Sequence, residues 1–175
     1  MQTPATIIAI ISLLPICYQD FSNRSVHWFY FPLLTLAGIF YTMASLHSFP
    51  QMLYNTAINA AFLLLQIGIL KLYFVVVRRS TTPLLDNKIG WGDLLFLFAA
   101  GCFFSPGCFI LFYVLSLLFS LVIGLALGLL RTKRYDSVPL AGLQALVLST
   151  LLCFEIIYRH TFTTDDWLLS KLVSQ

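Results

Sequence analysis

Six apolar runs, each bounded by a short polar connection, constrain this chain more than any other feature. They cover residues 3–19, 26–45, 53–77, 92–104, 108–130 and 137–158. A helix needs roughly 20 apolar residues to cross a bilayer, so six crossings use about 120 residues. In a chain of 175 residues that leaves no room for a sizeable soluble domain. Composition agrees: 59% of the residues are hydrophobic and 10% charged, and the mean hydropathy is +0.90. A soluble domain carries about 25% charged residues. An ordinary soluble enzyme, a disordered chain and a nucleic-acid binder are therefore excluded. The expected fold is all-α: a single membrane domain over residues 1–175, a polytopic bundle of six transmembrane helices with the lipid bilayer as its surroundings. The first run lacks the basic leader region and the small-residue cleavage site of a secretory signal, so it is read as a true span.

The basic residues orient these spans. Eight of the ten fall in or beside alternate connections. Arg24 follows the first run. Lys71, Arg78, Arg79 and Lys88 surround the connection after the third. Arg131, Lys133 and Arg134 follow the fifth. The positive-inside rule places these three connections in the cytoplasm and both termini outside. A missed or extra span would break this alternation.

Four cysteines, Cys17, Cys102, Cys108 and Cys153, lie in apolar runs and read as small buried hydrophobes. A Cys102–Cys108 disulfide is left open. No residue cluster has metal-ligand spacing, so neither a metal nor a cofactor is expected. Of seven acidic residues, Asp86 and Asp136 lie among basic residues and read as solvated charge. Asp165 and Asp166 read as solvated tail residues. Glu155 is expected to pair with Arg159, its neighbour one helical turn on.

Asp20 and Asp93 remain. Asp20 ends the first span, and Asp93 opens the fourth in the segment Gly90-Trp91-Gly92-Asp93. The topology puts both at the cytoplasmic membrane face, at one depth on different helices. Two neighbouring carboxylates do not both ionise easily and share a proton. Such a pair suits peptide hydrolysis, one acid activating water while the other polarises the scissile carbonyl. The glycines are expected to allow close backbone approach and conformations forbidden to other residues. The dipoles of the two helices are expected to divide the roles, Asp93 at a helix start being the charged base and Asp20 at a helix end the protonated acid.

These residues resemble the type IV prepilin peptidases, GxGD-type membrane aspartyl proteases. Asp20 with Arg24 is similar to that family's first-aspartate segment, and Gly90-Trp91-Gly92-Asp93 to its second motif. Val138-Pro139-Leu140-Ala141, after a basic connection, resembles the proline segment that opens the family's last part. The resemblance covers nearly the whole chain in span order. It implies an aspartic endopeptidase of the cytoplasmic membrane with Asp20 and Asp93 as the catalytic pair, supported by Gly90, Gly92, Arg24 and Pro139. It implies a prepilin or pseudopilin as the partner, cut after a glycine that follows a short basic leader, as in type IV pilus assembly and protein secretion. Many members carry a lysine two residues after the second aspartate, where this chain has Leu95. Many also carry a methyltransferase region in the first loop. Here that loop is a few residues long, which matches the short form. Oligomeric state is left open.

Three other readings compete with this one. A presenilin-like or signal-peptide-peptidase-like protease shares the GxGD motif but needs more spans than this chain holds. A small transporter or channel would use the same two acids, although such sites lie nearer the bilayer midplane. A non-catalytic pilus-assembly relative would keep the fold without the reaction.

Overall fold

The computed structural model describes residues 2–46, 48–76, 90–130, 139–158 and 162–165. Among them are six helices and no strand: α1 (Gln2–Asn23), α2 (Tyr30–Leu46), α3 (Phe49–Val76), α4 (Trp91–Gly101), α5 (Pro106–Leu130) and α6 (Leu140–Tyr158). Four of them, α1, α3, α5 and α6, are long and apolar enough to cross a bilayer, while α2 has 17 residues and α4 has 11. Many large apolar side chains face outward, among them Leu64, Leu72, Val122 and Leu125. That is the surface expected of a protein solvated by lipid rather than water.

The helix boundaries depart from the apolar runs in ways that have physical causes. Helix α1 continues past Asp20 to Asn23 and ends where Arg24 takes φ 52°. There the Arg24 N–H donates to the Asp20 carbonyl at 3.2 Å, the bond of a left-handed helix terminus. Helix α2 starts at Tyr30, four residues after the start of its apolar run, because residues 25–29 form the turn back from α1. Helix α4 stops at Gly101, three residues before its run ends. Its last carbonyls would be orphaned inside the bundle. Buried Asn59 of α3 donates from Nδ2 to the carbonyls of Gly101 and Phe104, both at 2.8 Å. The Thr42 hydroxyl donates to the Cys102 carbonyl at 2.6 Å. These polar side chains end α4 early.

Helix α1 packs chiefly on α6 and α2, and α4 fits between α2, α3 and α6. The α1 side of the core is a helical stripe of Ala5, Ala9, Leu13 and Ile16, and Asp20 continues it at the same spacing. On α4, Asp93 lies one turn before buried Phe96, which is followed by Ala99 and Ala100. Helical periodicity thus turns both acids toward the bundle interior. Cys102 and Cys108 are buried free thiols, so the disulfide left open by the sequence is absent; Cys17 is half-buried and Cys153 exposed.

The other end of the bundle is closed by the segment 162–165. Glu155 accepts hydrogen bonds from the Tyr41 hydroxyl at 2.5 Å and from the backbone N–H groups of Phe162 and Thr163 at 2.5 and 3.0 Å. The expected partner Arg159 lies outside the described residues. Asp165, expected to be solvated, instead caps α5: its carboxylate accepts from the Cys108 N–H at 2.9 Å and the Gly107 N–H at 3.4 Å. A Cβ at position 107 would stand 2.8 Å from Asp165 Oδ1, so any larger residue there would shift this carboxylate.

Candidate functional site

The site is built on the start of α6. Pro139 precedes the first helical residue, and its carbonyl accepts the Leu143 N–H at 3.2 Å. The N–H groups of the first helical turn then have no intrahelical acceptor. Two of them are used in succession. The Ala141 N–H donates to Asp93 Oδ1 at 3.0 Å, and the Gly142 N–H donates to Asp20 Oδ2 at 2.5 Å. Adjacent donors of one helix turn therefore bring together two carboxylates that are 73 positions apart in sequence. The two acids are close enough to interact electrostatically. Asp20 is buried and Asp93 half-buried.

Both acids thus share the positive end of the α6 dipole. The expected division of roles rested on α1 and α4 alone; the start of α6 is a third contribution, and it acts on both carboxylates. The positive charge of Arg24 also lies within electrostatic reach of Asp20.

The glycines divide by position. Gly90 caps α4 with φ −67° and ψ 129°, so its conformation is open to any residue. What it provides is space: a Cβ there would lie 3.1 Å from Asp93 Oδ2. Gly92 has only ordinary contact around it, the nearest atom to a Cβ being Phe31 Cζ at 3.8 Å. The expected conformational role therefore holds for neither glycine. At Gly142 a Cβ would meet Asp20 Cβ, Asp20 Oδ2 and Phe21 Cδ2, each at 3.1 Å. Sequence reasoning missed Ala141 and Gly142 as functional residues. The available signal was Pro139 itself, a helix opener followed by small residues whose N–H groups a first turn leaves free.

Beside Asp93 a cavity of about 590 Å³ runs between α3, α4, α5 and α6. Its walls are mostly apolar, with Leu63, Leu70, Leu97 and Leu140 among them. Its polar points are Asp93, Tyr73 and a pair in which the Tyr113 hydroxyl donates to Gln66 Oε1 at 3.1 Å. No group of three metal-ligating side chains occurs among the described residues. Asp86 and Asp136 lie outside them.

Comparison of the chain with protein-family models, with curated proteins and with solved structures finds no match.

Proposed function

We propose that this protein is a membrane aspartic endopeptidase that removes the short basic leader of prepilin-like proteins at the cytoplasmic face of the cell membrane. The observation that carries this reading is the seating of Asp20 and Asp93 on consecutive N–H groups of α6. The resemblance of their sequence segments to the prepilin peptidases supports it. Six crossings with both termini outside put the pair on the side where a leader is presented. Trp28 and Trp91, both exposed and both at this end of the bundle, suit an interfacial position.

In the reaction, a water bound by the pair attacks the scissile carbonyl carbon. Its proton passes to the ionised carboxylate, while the protonated carboxyl gives its proton to the carbonyl oxygen. The resulting gem-diol collapses: the C–N bond breaks, a diol proton returns to a carboxylate, and the proton first taken from water goes to the leaving nitrogen. The pair ends with one proton, as it began. The Ala141 and Gly142 N–H groups hold the carboxylates in place through this cycle, at no reorganisation cost. The apolar cavity beside Asp93 suits the hydrophobic segment that follows the cleavage point in a pilin, so the extended peptide before it lies across the acids. Mass spectrometry of a prepilin co-expressed with this protein tests the reading. The expected product begins just after the glycine that precedes the hydrophobic segment, and an uncut precursor would oppose it.

A further inference from the structure

The cavity beside Asp93 opens where α3 and α4 part. Asn59 ties the two helices at the end of α4 through its bonds to the Gly101 and Phe104 carbonyls. The cavity is lined by residues that follow Asn59 on α3 and precede Gly101 on α4, so the helices run antiparallel along it. Gln66 lies seven residues from Asn59, and Asp93 eight from Gly101. At the helical rise these are roughly 10 and 12 Å from the shared level, so Gln66 and Asp93 stand at nearly one depth. The buried stripe of α3 is Met52, Asn55, Asn59 and Leu63. Gln66, Leu70 and Tyr73 continue it at helical spacing, but they line the cavity, and Leu70 and Tyr73 are exposed.

Gln66 makes one side-chain hydrogen bond among the described residues. Its Oε1 accepts from the Tyr113 hydroxyl at 3.1 Å, and both hydrogens of Nε2 are left for a guest in the cavity. An amide on an otherwise apolar wall is costly unless something meets it. A peptide bond that reaches Asp93 has to leave its helix to be cut. Each residue unwound in an apolar cavity presents a main-chain carbonyl that lipid cannot satisfy. That carbonyl is present in every peptide, whatever its side chains, and it needs a donor.

We propose that Gln66, oriented by Tyr113, is a substrate-binding residue whose Nε2 donates to a main-chain carbonyl of the unwound peptide, at the depth of Asp93. The inference deepens the proteolytic reading and rests on it for the identity of the guest. A bond to backbone holds the chain in register without selecting a side chain.

A fluorescent prepilin peptide titrated onto the protein in lipid vesicles tests this bond. Asp20→Asn serves as background, so that binding is read without cleavage. Adding Gln66→Met, which keeps the length and removes the donors, should weaken affinity about 10-fold, the size of one lost hydrogen bond. In the cleaving protein the same substitution should raise KM about 10-fold with kcat changed less than about 2-fold, the signature of binding lost equally from ground and transition states. Peptides with a single backbone ester near the cut, which weakens the adjacent carbonyl as an acceptor, locate the partner. One ester position should lose affinity when Gln66 is present and lose nothing further in Gln66→Met. A merely structural role for Gln66 predicts equal ester effects in both. Should Gln66→Met fail to fold, Tyr113→Phe replaces it: the amide loses its orienting bond, and affinity should fall about 3-fold. Unchanged affinity in the variant, or ester effects that ignore Gln66, overturns the inference. Cleavage with an unchanged KM in Gln66→Met rejects the inference alone. Binding that depends on Gln66 in a wild type that cuts no prepilin sustains it and rejects the proteolytic reading instead. A protein that neither binds nor cuts prepilin rejects both.

Discussion

The backbone N–H of Gly142 donates to Asp20 Oδ2 at 2.5 Å, and a Cβ on Gly142 would lie 3.1 Å from that same oxygen. Helix start and carboxylate are fitted so closely that a methyl group at position 142 would make Asp20 give by a few tenths of an ångström. The residue that seats one acid of the pair is thus also open to a test by a single methyl group.

Gly142→Ala should separate activity from stability. Alanine favours a helix over glycine by about 0.5–1 kcal/mol, while crowding a packed site costs about 1–3 kcal/mol. The two nearly offset, so unfolding in a denaturing detergent should shift little. Asp20, however, must move to admit the methyl group. A loss of kcat of about 10-fold or more is expected, since small misplacements of reacting groups cost about 100-fold in many enzymes. Kinetics and denaturation on the same preparation check this.

Asp165 makes stability depend on pH at the opposite end of the bundle. Partial burial pushes its carboxyl up, but hydrogen bonds from Ser105, Cys108 and Gly107 outweigh burial and hold it below the usual value of 3.8. A carboxyl depressed in the folded state contributes stability above its unfolded pKa and loses it as pH falls through the folded one. The wild type should therefore be more heat-stable than Asp165→Asn at about pH 7, and the difference should shrink steadily below about pH 4. Melting curves of both proteins in detergent, taken across that range, provide the check.

Much of the site was legible in periodicity. Asp20 extends the stripe Ala9, Leu13, Ile16, and Asp93 precedes Phe96 by one turn, so both inward faces follow from spacing alone. What spacing does not reveal is who meets these acids. Glu155 was read only against its helical neighbour, whereas its carboxylate accepts from the Tyr41 hydroxyl and from the backbone of Phe162 and Thr163, fixed donors that local spacing does not announce. Asp165 looked solvated because nothing local signals that the chain returns to cap α5. The early end of α4 depends on Asn59, which is 42 residues from Gly101 in sequence. In each case the deciding contact joins segments that no local sequence pattern links.

The membrane orientation has its own test. In a cysteine-free background, single cysteines at positions 48 and 132 should be labelled from opposite sides of the membrane. Position 132, flanked by Arg131 and Lys133, should react from the cytoplasm. Impermeant reagent applied to intact cells, then to inverted vesicles, gives the answer. Reaction of both sites from outside would reject the six-span arrangement.

The central claim is that Asp20 and Asp93 act as one proton-sharing unit in peptide-bond cleavage. The most direct measurement is prepilin turnover in lipid vesicles by the wild type, Asp20→Asn, Asp93→Asn and the double variant. Each single substitution should reduce cleavage to background with the protein still folded, and the double variant should be no worse, because groups that act together are not additive. Asp86→Asn, Asp136→Asn and Glu155→Gln should retain substantial activity. Near-normal turnover in either Asp20→Asn or Asp93→Asn would contradict the account and remove that residue from the mechanism.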